Sequence, residues 1–209
     1  MRSARWVSVI FVAGLVLVQP DSPSAKPAKR SVEGPLITIH APNPEQFELA
    51  LDEIVLDWSS RPGATKLAPA QAAVAIAGTN VVKREAIHAL VAVTKSATPG
   101  ELLMVSTALK AANPGAEAHL VLYLPGASKD GASRQLLTSR VGLILEQGAD
   151  PGHVVAGLPV VAIGPASVSG GYVIEAKDPL AALGLADALR QRPGVKHAYP
   201  LVRRARFPR

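Results

Sequence analysis

The chain has 209 residues, 48% of them hydrophobic but only 18% charged and 4% aromatic, with a formal net charge of +6. It contains no cysteine, which excludes disulfide staples, thiol nucleophiles and zinc–thiolate sites. Much of the positive excess sits in residues 194–209, where Lys196, Arg203, Arg204, Arg206 and Arg209 have no acidic neighbour; only Tyr199 and Phe207 stand among them, too few rings to stack nucleic-acid bases.

Along the chain, Arg2 and Arg5 precede an apolar run from Trp6 to Val18, followed by a polar, proline-containing stretch to Ala25. A charged start, a core of about 13 apolar residues and a small-residue exit describe a secretory signal peptide over residues 1–25, whereas a spanning helix needs about 20. The expected location is therefore the periplasm or the medium, with a membrane touched only through an uncleaved signal. Residues 26–46 are a Pro/Ser/Lys linker ending in a short strand at 36–39.

Residues 47–124 form the first predicted unit. A strand at 47–58 carries Asp52, Glu53 and Asp57 and leads to a turn. A short alanine-rich helix over 69–77 stops at Gly78, and strands follow at 80–85 and 87–94. Thr98-Pro-Gly-Glu101 then opens a second helix: Thr98 can cap, Pro99 suits the first helical position and Glu101 completes a capping box. Leu102, Val105 and Leu109 stripe one face of it, Asn113-Pro-Gly115 ends it, and a strand over 118–124 closes the unit.

After a polar hinge at 125–131 the same order returns in a second unit over 132–209. It has a strand at 140–145, a very short helix from Asp150-Pro-Gly-His153, strands at 160–163 and 172–176, and a helix opened by Asp178-Pro179. Leu180, Leu183 and Ala186 lie on one face of that helix, Arg192-Pro-Gly194 stops it, and a strand over 195–202 closes the unit. Thr98-Pro99 matches Asp178-Pro179, Ala108-Leu-Lys110 matches Ala188-Leu-Arg190, and Pro114-Gly115 matches Pro193-Gly194, which reads as an internal duplication. The expected fold is α+β: tandem ferredoxin-like βαββαβ units, helices on one sheet face.

Several stretches of the second half carry a family resemblance: Leu120-Val-Leu-Tyr123, Leu137-Thr-Ser-Arg-Val-Gly-Leu-Ile-Leu145, Gly170-Gly-Tyr-Val-Ile-Glu175, and above all Ala186-Asp-Ala-Leu-Arg-Gln-Arg-Pro-Gly-Val-Lys-His-Ala-Tyr-Pro-Leu-Val-Arg-Arg204. Through them, residues 120–209 resemble the inhibitor-type pro-region of bacterial subtilisin/kexin-type serine proteases. The resemblance implies a non-enzymatic partner of such a protease, packing its sheet on the enzyme as a folding chaperone or inhibitor. It also implies that the C-terminal segment, here Tyr199, Pro200, Leu201, Val202, Arg203, Arg204 and Arg206, runs extended through the substrate cleft. Pro200 favours an extended backbone, and an extended peptide can join cleft strands through main-chain hydrogen bonds. Two other readings stand beside it: a general envelope or secreted interaction module, and a detached pro-region of a truncated protease gene.

No catalytic residues are expected. The aspartate, histidine and serine of a subtilase lack their glycine-rich settings here, and Ser167 and Ser169 lie in a Gly/Ser loop without a partnered histidine. His40, His88, His119, His153 and His197 are scattered, so neither a metal site nor a cofactor is expected. His119 and His197 fall on equivalent closing strands and read as sheet-edge packing. Asp52, Glu53 and Asp57 read as a solvated strand edge, with the first two on opposite faces. No nucleotide-binding loop follows either Gly-rich stretch.

Overall fold

The computed structural model of the protein describes residues 34–204, apart from 41–42, 61–62, 64–67, 95 and 97. The predicted signal peptide, residues 26–33 and 41–42 of the linker segment, and Arg206 lie outside the described residues. Apolar β-branched runs broken by Pro and Gly produce nine strands: β1 (Leu36–His40), β2 (Pro44–Asp57), β3 (Thr79–Arg84), β4 (His88–Val93), β5 (Glu117–Tyr123), β6 (Gln135–Leu145), β7 (Val160–Pro165), β8 (Gly171–Ala176) and β9 (Val195–Arg204). Among the described residues the α-helices are α1 (Pro99–Ala112), α2 (Pro151–Val155) and α3 (Pro179–Arg190), together with a 3-10 turn at Pro69–Ala72.

All nine strands belong to one antiparallel sheet. Its main path runs β3-β4-β2-β5-β6-β8-β7, with β1 added to β2 and β9 to β6. This corrects the expected fold class: the chain is not a pair of tandem ferredoxin-like βαββαβ units. What joins the halves is the ladder between β5 and β6, Leu120 to Leu137, Val121 to Leu136 and Leu122 to Gln135. Gln135, Leu136 and Leu137 thus begin β6 ahead of the strand expected over 140–145. The predicted helix at 69–77 is also overturned. Ala68 takes a left-handed backbone (φ 41°) and only Pro69–Ala72 of this segment winds, so among the described residues of the first half α1 is the one α-helix against the sheet.

The two long helices begin and end as their sequences dictate. Thr98 Oγ1 accepts the Glu101 N–H at 3.2 Å, and Asp178 Oδ1 accepts the Ala181 N–H at 2.7 Å. Each has Pro at its first position. Beyond the helix ends, Gly115 (φ 79°) and Gly194 (φ 78°) take the left-handed conformation that lets the chain turn into the next strand.

Helix α1 buries Leu102 and Leu109 against Leu49, Ile54, Leu56, Trp58, Leu120 and Leu122. Helix α3 buries Ala182, Leu185, Ala186 and Leu189 against Val141, Leu143, Ile174 and Ala198. Each fully buried leucine contributes about 2 kcal/mol by leaving water. Leu180 and Leu183 of α3 and Val202 of β9 pack onto the first of these clusters, which also takes in Leu137, so the cores meet beneath the junction. A bulge in β2 between Ala50 and Ile54 switches the core-facing positions from Phe47 and Leu49 to Ile54 and Leu56. Ala50, Val55, Leu90, Val121, Tyr123 and Leu136 form a smaller cluster on the face away from α1.

Candidate functional site

The densest collection of ionisable side chains lies where β2 ends. Asp57, His88 and Glu117 are register partners across β2, β4 and β5, so their side chains share the face away from α1, and His119, opposite Val55, joins them there. Asp57 is 1% exposed. Its carboxylate accepts the Ser59 N–H on Oδ1 at 2.7 Å and the Ser59 hydroxyl on Oδ2 at 3.0 Å. His88 Nε2 stands 3.3 Å from Oδ1, and His119 Nε2 stands 3.5 Å from Oδ2. Arg203 of β9 makes an ion pair with Oδ2, and its guanidinium also reaches Ser59 Oγ and His119 Nε2, each at 3.4 Å.

A buried carboxylate is tolerable only when paired and hydrogen-bonded, and Arg203 supplies the charge. Burial holds both imidazoles below their ordinary range: His119 is pressed down to about 4, and His88 is lowered as well, with His119 as a second cause. Burial also lowers Arg203. Near neutral pH the cluster is thus one carboxylate, one guanidinium and two neutral rings. Beside it opens a small cavity of about 460 Å³ lined by Ser59, His88, Arg203 and Arg204.

Chemically the cluster binds charge and lacks an activated nucleophile. The Ser59 hydroxyl donates straight to the carboxylate, whereas a hydrolytic triad needs an imidazole between serine and aspartate. Among the described residues no group of three or more His, Asp or Glu side chains is arranged to hold a metal ion. Ser167 and Ser169 lie in the loop between β7 and β8.

A wider cleft of about 620 Å³ opens where β5 and β6 part. Before Leu120, β5 has no ladder with β6, which turns away to pair with β8 from Arg140 onward. The gap is lined by Lys110 of α1, Glu117 and His119 of β5, Ser139, Glu175, and the Lys177–Pro179 entry to α3. Glu117 spans it, with Oε1 3.4 Å from Arg140 and Oε2 3.6 Å from His119.

A second polar group ties the 124–134 link to β2. The Tyr123 hydroxyl donates to Glu53 Oε2 at 2.6 Å, Arg134 Nε donates to the same oxygen at 3.2 Å, and Lys129 pairs with Asp52 at 2.6 Å. Burial and the Glu53 carboxylate push the Tyr123 hydroxyl up. In the turn of this link, hydrogen bonds from Ser133, Ser128 and Ala132 hold the exposed Asp130 down to about 2.

The residues proposed for a protease cleft occupy a defined place. Tyr199 to Arg204 are the second half of β9: Tyr199 pairs with Gly142, Pro200 with Val141, Val202 with Leu137, Arg203 with Leu136 and Arg204 with Gln135. They are extended, but one edge of the strand is committed to β6, and Arg203 is anchored on Asp57. Tyr199 and Leu201 lie over Gly142, where an added Cβ would stand 3.0 and 3.1 Å from them, so glycine leaves room for both.

Three expectations change on this geometry. Asp57 is a buried anchor rather than a solvated edge. His119 is a buried member of the cluster, while His197 stays exposed on its strand. Asp52 and Glu53 both reach toward the 124–134 link, because the bulge interrupts alternation at that point. The cluster escaped the sequence because Asp57, His88, His119 and Arg203 are up to 146 positions apart (203 minus 57). The available signal was weaker: charged or imidazole residues at strand termini that topology could bring side by side.

No protein-family model matches this chain, and searches against curated proteins and against solved structures return no match.

Proposed function

We propose that this is an exported, non-catalytic protein that binds a subtilisin-like serine protease as a folding chaperone or inhibitor, chiefly through the open face of its second half. The partner class comes from the sequence resemblance over residues 120–209. The observation that carries the mode of binding is the composition of the sheet face opposite α3. Register puts Ile144, Val173 and Tyr199 on that face with Gly142, and Leu201 follows two residues after Tyr199. All four large side chains are half-buried, and none of the described helices packs on them. A face of this kind can bury apolar area against a partner, with aromatic and aliphatic anchors at its centre.

The cleft-threading role of Tyr199 to Arg206 becomes secondary in this reading, because β9 already gives one edge to β6. That same fact favours the alternative of an interaction module for a non-protease partner, since such a module needs no free tail. Titrating the purified protein into a subtilisin/kexin-type protease from the same cell separates the two. Inhibition at or below about micromolar concentration is expected, weakened at least ~10-fold by Val173→Glu or Leu201→Glu and little changed by removing residues 205–209. No inhibition and no effect on protease refolding would overturn the protease reading and leave the interaction module.

A further inference from the structure

Asp57 gathers more cation-capable partners than one carboxylate can satisfy. Its Oδ2 faces the Arg203 guanidinium and, 3.5 Å away, His119 Nε2, while His88 Nε2 stands 3.3 Å from Oδ1. Arg203 and His119 are themselves only 3.4 Å apart. We propose that Asp57, His88, His119 and Arg203 form a proton-operated latch that fastens the end of β9 to the first half of the sheet, closed while both imidazoles are neutral and opened when one takes a proton.

The argument rests on charge balance. In the closed state the carboxylates of Asp57 and Glu117 face the guanidinium groups of Arg203 and Arg140, and the rings add nothing. The other ionisable groups around the rings are Glu85 near His88, Lys110 of α1 near His119, and Arg204 on the cavity wall. Adding a proton to either ring places a second cation within about 4 Å of a single buried carboxylate, where like charges repel strongly. One cation must leave, and exposure decides which. The Arg203 side chain is 42% exposed, against 14% for His88 and 3% for His119. The guanidinium can swing out beside the cavity it already lines, while an imidazolium inherits the Asp57 carboxylate. Burial supports this direction by holding both rings neutral at neutral pH, so that the proton acts only under acid conditions.

Opening the latch affects the strand. Arg203 and Arg204 are the last ladder residues of β9, paired with Leu136 and Gln135. Without the Asp57 anchor, this end of the strand keeps its β6 hydrogen bonds but loses the Arg203–Asp57 ion pair, so it frays first. The same basic residues are those that the protease reading assigns to a substrate cleft. That consequence rests on the proposed partner; the latch itself does not.

The test uses the full chain alone, without protease. Amide hydrogen exchange of Val202, Arg203 and Arg204, corrected for intrinsic rates, is measured between about pH 7.5 and 4.5, with amides of β4 and α1 as the global reference. Protection at Val202–Arg204 is expected to fall across this range at least ~10-fold more than that of the reference amides, which follow the global stability. In His88→Gln/His119→Gln the fall should disappear. Arg203→Gln leaves a foldable chain with Asp57 uncompensated: the same amides should be unprotected already at neutral pH, and the His119 titration should move upward. Protection that is flat with pH, that falls equally in the double glutamine variant, or that falls only together with β4 and α1 would overturn the latch. So would a His119 titration unmoved by Arg203→Gln. A protein that fails to bind any protease yet shows the expected exchange keeps the latch and loses only the partner.

Discussion

His119 and His197 stand three residues into β5 and β9, the strands that close the two halves, and they meet opposite fates. The halves pair alike: β2 lies between β5 and β4, with β3 outside β4, and β6 lies between β9 and β8, with β7 outside β8. Yet β5 is flanked on its second edge by β6, whereas β9 ends the ladder on its side. An internal strand turns side chains that would have been wet into buried ones. Among the described residues, the buried polar ones are Asp57, Ser106, Asn113 and His119 in the first half, Arg134 in the joining segment, and Thr138 near the start of β6, beside the junction. Under α3 itself the buried cluster includes Val141, Leu143, Ile174, Ala198 and the apolar face of the helix. The difference between His119 and His197 teaches that burial of a polar side chain on equivalent strands follows from sheet position, and that a group buried in this way then needs a partner from far along the chain.

The sharpest way to break this comparison is Asp57→Ala. It leaves Arg203 without its counter-ion and removes the Ser59 contacts in a site 1% open to solvent, so a loss of about 3–5 kcal/mol is expected in denaturant unfolding. His197→Ala, on the exposed counterpart, should change stability by no more than about 0.5 kcal/mol. Comparable losses at the two positions would mean that sheet position does not decide the difference. A second test asks whether the halves are alike where their cores are alike. Leu109→Ala in α1 and Leu189→Ala in α3 each empty a side chain that is 0% exposed, and each should cost about 2–5 kcal/mol, within about 1 kcal/mol of the other.

pH sharpens the contrast further. His119 titrates at about 4 in the folded protein against 6.5 for the free side chain. As pH falls below 6.5 the unfolded chain takes up this proton first, so stability that is complete above 6.5 drains away until about 4. The expected loss is about 3 kcal/mol over that window. His119→Gln should remove most of the slope, measured as urea midpoints at a series of pH values, and His197→Gln should leave it in place.

Local chemistry made part of this architecture legible. Thr98-Pro99 and Asp178-Pro179 announced both long helices, Asn113-Pro-Gly115 and Arg192-Pro-Gly194 announced their ends, and the apolar runs announced β4, β5 and β8. What stayed hidden depends on contacts distant in sequence. Nothing in Gln135-Leu-Leu says that it will pair with Leu120-Val-Leu122 and fuse two halves into one sheet, since an apolar run gives no sign of which edge it will meet. Nor does Arg203 disclose that Asp57 waits for it. The alanine-rich segment after Pro69 misled for the opposite reason: its helical propensity is high, but a left-handed Ala68 and only one turn of 3-10 structure fix it against the sheet instead.

The smallest effect separates the two helix caps. Thr98 offers a neutral hydroxyl to the Glu101 N–H at 3.2 Å, while Asp178 offers a charged carboxylate to the Ala181 N–H at 2.7 Å. Both satisfy one orphan donor, but the carboxylate also meets the positive end of the helix dipole. Thr98→Ala should therefore cost about 0.5–1 kcal/mol and Asp178→Ala about 1–2 kcal/mol. Asp178→Asn isolates the charge: asparagine can still accept the bond, so it should recover about half of the Asp178→Ala loss, and the remainder should shrink in high salt. If Thr98→Ala proved the costlier change, the added weight would have to come from α1 itself. That helix lines the cleft where β5 and β6 part, so fraying its first turn would loosen the joint between the halves as well as the cap.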